Sequence, residues 1–65
     1  MNEPKTNQRL ARARKSAGLT MTQLAKKSGV SLSTVFRMEM GLHAPMNETA
    51  RKLARALNLP IEKLF

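Results

Sequence analysis

Sixty-five residues allow one small domain, and twelve Lys and Arg against four Asp and Glu give it a formal charge of +8. No Cys and a single His exclude disulfides and Cys-rich zinc sites, leaving packing to hold the fold. Apolar residues are 42 % of the chain with only two aromatics, so the expected core is aliphatic. The charge points to a polyanion, nucleic acid ahead of an anionic membrane surface, although it can also serve solubility alone.

The pattern predicts a single domain over 1–65, with 1–4 as a flexible lead-in, made of five short helical segments. The first covers about 5–17, where Leu10, Ala13 and Ala17 recur at helical spacing, Arg9, Arg12 and Lys15 face elsewhere, and Gly18 stops the helix. LTMTQL (19–24) is a helix start: Thr20 is the N-cap, Gln23 completes a capping box, and Leu19 and Leu24 are placed as a hydrophobic staple. That second helix ends near Ser28. Ser31 caps the third, about 31–40, with Val30 stapled onto Val35 and Gly41 as the stop. Pro45 and Asn47 introduce a fourth, in which Ala50, Leu53, Ala54 and Leu57 form an i, i+3, i+4, i+7 stripe ended by Asn58. Pro60 opens a last turn with Ile61 and Leu64.

Only Gly29, Val30 and Ser31 separate the second and third helices. Two short helices joined by a three-residue turn containing Gly make a helix-turn-helix, whose second helix enters the DNA major groove.

GLTMTQLAKKSGVSLSTVFRMEMG (18–41), followed by Pro45 and LARAL (53–57), resembles the Cro/C1-type (Xre-like) helix-turn-helix family, which includes lambdoid-phage repressors and many antitoxins. The resemblance covers about 9–65. It implies an all-α, compact five-helix, lambda-repressor-like domain that binds operator DNA, usually as a dimer. It also implies a prokaryotic or phage-encoded regulator, cytoplasmic and nucleoid-associated. The family often pairs a Glu at the position of Glu39 with an Arg on the first helix, where Arg14 stands. Two positions depart from its pattern. Met21 occupies the place of a Gln that contacts a phosphate, and the loop after the third helix offers only His43 to the backbone.

The third helix is sparsely charged, as a reader of bases must be, because indiscriminate positive charge would grip every phosphate alike. Val35, Met38 and Leu42 share one face by spacing and are expected to pack inward; Ser33, Phe36, Arg37 and Met40 lie opposite. Ser33 and Thr34 can bond to base edges, or serve only as first-turn hydroxyls. Arg37 can fork onto guanine O6 and N7, worth about 1–3 kcal/mol of discrimination, or remain a solvated surface residue. Leu32 and Phe36 can meet thymine methyls; Phe36 is equally placed for a protein partner or as a lid on the core. Candidate phosphate contacts are Arg9, the first amides of the second helix at Met21 and Thr22, Lys26, His43 and Asn47. No cofactor or metal is implied, since His43 has no neighbouring Cys or His.

The sequence contains no nucleophile–base constellation, glycine-rich phosphate loop or carboxylate cluster, which argues against an enzyme. The stronger rival is an interaction module, such as an antitoxin domain whose main partner is a protein; Phe36, Met40 and Leu42 exposed together would favour it. A cationic membrane-surface peptide fits poorly, because two clean caps describe a folded multi-helix domain. No apolar run approaches the roughly 20 residues of a membrane span, and the N-terminus has no apolar segment of a secretory signal. A monomer reads few base pairs, so a homodimer is expected, with Ile61, Leu64 and Phe65 of the last turn as its contact.

Overall fold

Two side-chain caps set where the central helices begin. In the computed structural model, which describes residues 8–42 and 47–65, Thr20 Oγ1 accepts from the Gln23 amide at 3.1 Å, and Gln23 Oε1 accepts from the Thr20 amide at 2.8 Å. This reciprocal box opens helix α2, Met21–Ser28. Ser31 Oγ accepts from the Thr34 amide at 3.2 Å and opens α3, Leu32–Glu39. Between them Gly29 takes φ 77°, a left-handed conformation that costs a residue without Cβ nothing. Its amide reaches the Ala25 carbonyl at 2.9 Å. Ser28 closes the corner, donating to the Leu24 carbonyl at 2.7 Å and accepting from the Val30 amide at 3.2 Å.

Around this corner lie α1, Gln8–Ser16, α4, Asn47–Leu57, and a 3-10 turn, Ile61–Lys63. Helix α2 packs on both α3 and α4, α1 packs on α3, and the 3-10 turn packs on α4. Leu10, Leu24, Val35, Met38, Leu53 and Leu64 are the largest fully buried side chains. The α4 stripe of Ala50, Leu53, Ala54 and Leu57 is buried as its spacing requires, and Ala56 is buried with it. Of the residues expected in the two staples, Leu24, Val30 and Val35 are buried and Leu19 packs against the core.

Three helices end in the same way. After α1 the Leu19 amide bonds to the Arg14 carbonyl at 3.1 Å, and after α4 the Leu59 amide bonds to the Ala54 carbonyl at 3.0 Å. After α3 the Leu42 amide bonds to the Arg37 carbonyl at 2.8 Å and the Gly41 amide to the Met38 carbonyl at 3.2 Å. This is the Schellman closure, which satisfies the last carbonyls and swings the chain off the helix axis.

That swing overturns one expectation. Leu42 does not share the inward face of Val35 and Met38; it is 72 % exposed, because Gly41 at φ 74° breaks the helical spacing before Leu42 is reached. The fifth helix is a second correction: among the described residues there are four α-helices, and the last segment is 3-10. Its bonds run from the Lys63 amide to the Pro60 carbonyl and from the Leu64 amide to the Ile61 carbonyl. Tighter winding brings positions three apart onto one side, and so turns Ile61 and Leu64 together toward the core. Leu64 is thereby fully buried within one copy and is not free to touch a second, whereas Ile61 and Phe65 are half-buried. The first helix starts at Gln8 among the described residues and stops at Ser16, leaving Ala17 exposed. Residues 5–7 of the expected helix lie outside the described ones, as do His43 and Pro45.

Candidate nucleic-acid interface

Helix α3 divides cleanly. Val35, Met38 and Glu39 are buried, while Leu32, Ser33, Phe36, Arg37 and Met40 are exposed. Ser33 and Arg37, one turn apart, share the outer face with Leu32 and Phe36, which are each 47 % exposed. Thr34 stands apart from them: it is half-buried, and its hydroxyl oxygen accepts a hydrogen bond from Ser31 Oγ at 2.8 Å. The structure thus joins four of the five expected base-reading residues on one surface and draws Thr34 toward the cap.

The start of α2 borders the same surface. Met21 lines a groove with Leu32, Ser33, Phe36 and Arg37. Sequence reasoning gave Met21 a role through its amide and missed its side chain. The neighbourhood of the first residues of α2 and α3 is a product of the corner's geometry, and no local spacing reports it. Because the cap consumes the Gln23 amide, the amides of Met21 and Thr22 are left without intrahelical acceptors at the positive end of the helix. Arg9, Arg12, Lys15, Lys26 and Lys27 are exposed, as is Asn47 at the start of α4.

Over residues 8–42 the sequence holds a single acid, Glu39, and it is 3 % exposed. The surface of α1, α2 and α3 therefore presents cations with no exposed carboxylate among them. Glu48 and Glu62 lie instead on α4 and the 3-10 turn, Glu48 within 3.9 Å of Lys52 one turn on.

Glu39 is held by Arg14. The guanidinium donates from Nε to Oε2 at 2.7 Å and from Nη2 to Oε1 at 3.1 Å, and from Nη1 to the Leu19 carbonyl at 2.9 Å. One side chain of α1 thus fixes α3 and the turn leading into α2. The resemblance paired Arg14 with Glu39, but the bond to Leu19 has no sequence signal. Hydrogen bonding to Glu39 raises the Arg14 pKa above its already high ordinary value; burial works against this and the opposite charge adds to it. A raised cationic pKa contributes stability that is lost only as pH rises through it, so on the Arg14 side the pair stays charged well into the alkaline range.

The geometry is matched by three comparisons. A family model described as helix-turn-helix matches residues 10–64. An uncharacterized HTH-type transcriptional regulator of Archaeoglobus fulgidus is 40 % identical over 57 residues, covering 88 % of this chain and 81 % of that one. The cryptic phage CTXphi transcriptional repressor RstR of Vibrio cholerae is 37 % identical over 60 residues, or 92 % of this chain; the chain spans 54 % of that repressor's length. Among solved structures, the restriction-modification controller protein C.AhdI of Aeromonas hydrophila superposes with a TM-score of 0.85 at 36 % identity, covering 91 % of this chain and 89 % of that one. The chain belongs to the helix-turn-helix family of the Cro/C1 (Xre-like) type.

Proposed function

We infer that this chain binds double-stranded DNA sequence-specifically and regulates transcription, laying α3 in the major groove. The observation that carries this is the outer face of α3: Ser33 and Arg37 beside Leu32 and Phe36, in a stretch whose described residues 8–42 expose several cations and no carboxylate. Arg37 forks onto a guanine, Ser33 bonds to a neighbouring base edge, and Thr34 reaches a base only if its hydroxyl donates while keeping the bond from Ser31. The free amides of Met21 and Thr22, with Arg9, Lys26 and Asn47, take backbone phosphates and set the register; His43 is assigned the same role. Arg14 and Glu39 are architectural. The action is repression, as the name of the Vibrio relative has it for that protein, and the setting is the cytoplasm of a prokaryote. Among the described residues no helix is long and apolar enough to cross a membrane, and the family reading calls for no enzymatic chemistry.

Two copies are required for a useful site, with half-sites about one helical turn, 34–36 Å, apart. Ile61 and Phe65, together with exposed Leu59, supply the apolar surface for that contact. Sedimentation that stays monomeric at high concentration would remove this part of the reading.

Selection of binding sites from random duplex DNA, followed by salt titration, tests the whole. A two-fold-symmetric enriched site is expected, with a log–log salt slope of about −0.9 for each phosphate contacted. No enriched sequence, with binding that vanishes in moderate salt, would leave only non-specific attraction. One observation favours a second reading, a protein partner as for an antitoxin: Met40 and Leu42 are exposed apolar residues just past the reader face. A Met40→Ser, Leu42→Ser variant that keeps DNA binding but loses regulation in cells would support it.

A further inference from the structure

Met21 carries a side chain unsuited to a phosphate. A thioether has no hydrogen to donate, yet it sits half-buried at the start of α2 and turns its exposed part into the groove shared with Leu32, Ser33, Phe36 and Arg37. Three of these five residues are apolar, and Leu32 and Phe36 remain about half-exposed. A surface that only gripped a polyanion would have no use for them. In the major groove, base pairs present one apolar group, the 5-methyl of thymine. Arg37 in its lining and the absence of any exposed carboxylate over residues 8–42 match the groove to a polyanion that carries such a group.

We propose that Met21, Leu32 and Phe36 form a receptor for the methyl group of an operator thymine, which makes Met21 a specificity-determining residue through its side chain. The proposal rests on α3 reading the major groove. It adds a constraint on the operator. Leu32 and Phe36 are one helical turn apart, as are Ser33 and Arg37, and a turn rises 5.4 Å. With bases stepping 3.4 Å along a strand, the thymine lies within about two steps of the guanine that Arg37 reads.

The test uses the site selected from random DNA. Each thymine is replaced in turn by uracil, which removes the methyl and nothing else. Kd is measured for wild type and for Met21→Gln, Leu32→Ala and Phe36→Ala, with helicity of each checked by circular dichroism. One thymine per half-site is expected to bind about fourfold less tightly as uracil, the effect of withdrawing one methyl-sized group from an apolar site. That penalty should shrink toward nothing in Phe36→Ala and Met21→Gln, since the methyl and the side chain act as one interaction. A selected site that tolerates uracil at every thymine overturns the receptor while leaving α3 as the reader. A uracil penalty undiminished in all three variants overturns it equally, because the methyl is then met elsewhere. Failure to select any site would remove the reading beneath it as well. The uracil series on wild type needs no altered protein, so a variant that fails to fold does not blunt the test.

Discussion

On its inner side α3 presents Val35, Met38 and Glu39 to the core and to Arg14; on its outer side it presents Leu32, Ser33, Phe36 and Arg37 to solvent. The inner residues are fixed by packing and by a forked ion pair, and a change at any of them is felt by the whole fold. Among the described residues the outer side chains make no hydrogen bond or ion pair, although Leu32 and Phe36 are about half covered. With α3 as the proposed reader, stability and sequence preference fall on opposite sides of an eight-residue helix, and the two are expected to be separable by substitution.

The largest effect belongs to the inner side. Arg14→Met strands a carboxylate that is almost wholly buried and is expected to cost about 3–5 kcal/mol, as breaking a buried pair by removing one partner does. Thermal melting reads this directly, and whatever fraction still folds should select the same DNA site as wild type. A melt unchanged by the substitution would show that the pair does not hold α3. Met38→Ala should cost about 2–5 kcal/mol through lost burial and the cavity left behind. Leu42→Ser, only four positions on, should move stability by less than about 0.5 kcal/mol. Urea denaturation of the two variants side by side sharpens the contrast, and equal losses would mean that Leu42 is packed after all.

On the outer side, Arg37→Ala is expected to leave the melting temperature alone. It should relax preference at one base pair by about 1–3 kcal/mol, measured by competition against single-base variants of the site. Smallest of all, Lys26→Gln should weaken every sequence alike and make the salt slope shallower by about 0.9. An effect of Lys26→Gln that differed between sequences would place it among the readers rather than the grips.

What the sequence made legible follows how local the physics is. The capping box at Thr20 and Gln23, the Ser31 cap and the left-handed Gly29 are settled within three or four residues, and they could be read from spacing alone. The α4 stripe could be read because one helix buries one face. Leu42 was misread because helical spacing was carried one residue past the left-handed Gly41. The final segment was misread because Pro60 announces a turn without saying how tightly it winds, and the burial of Leu64 decides that. In the candidate interface, the outer residues of α3 were named correctly as a face. The groove side chain of Met21 and the bond from Arg14 to the Leu19 carbonyl were missed, since both depend on where separate elements come to rest.

That last bond bears on how the protein comes apart. Helices of eight residues are too short to persist alone in water, where about 12–15 residues are needed, so α2 and α3 exist only as long as they are docked. Arg14 ties the first to the third directly, and to the second through the turn that leads into it. An opening that frees any one of them breaks the same guanidinium from its partners, so the domain is expected to unfold as a unit and not by fraying at the reader helix. For a regulator in a cell containing proteases, its working lifetime is then set by global unfolding. Amide exchange in α3 as slow as exchange in the core would be the signature of such a molecule.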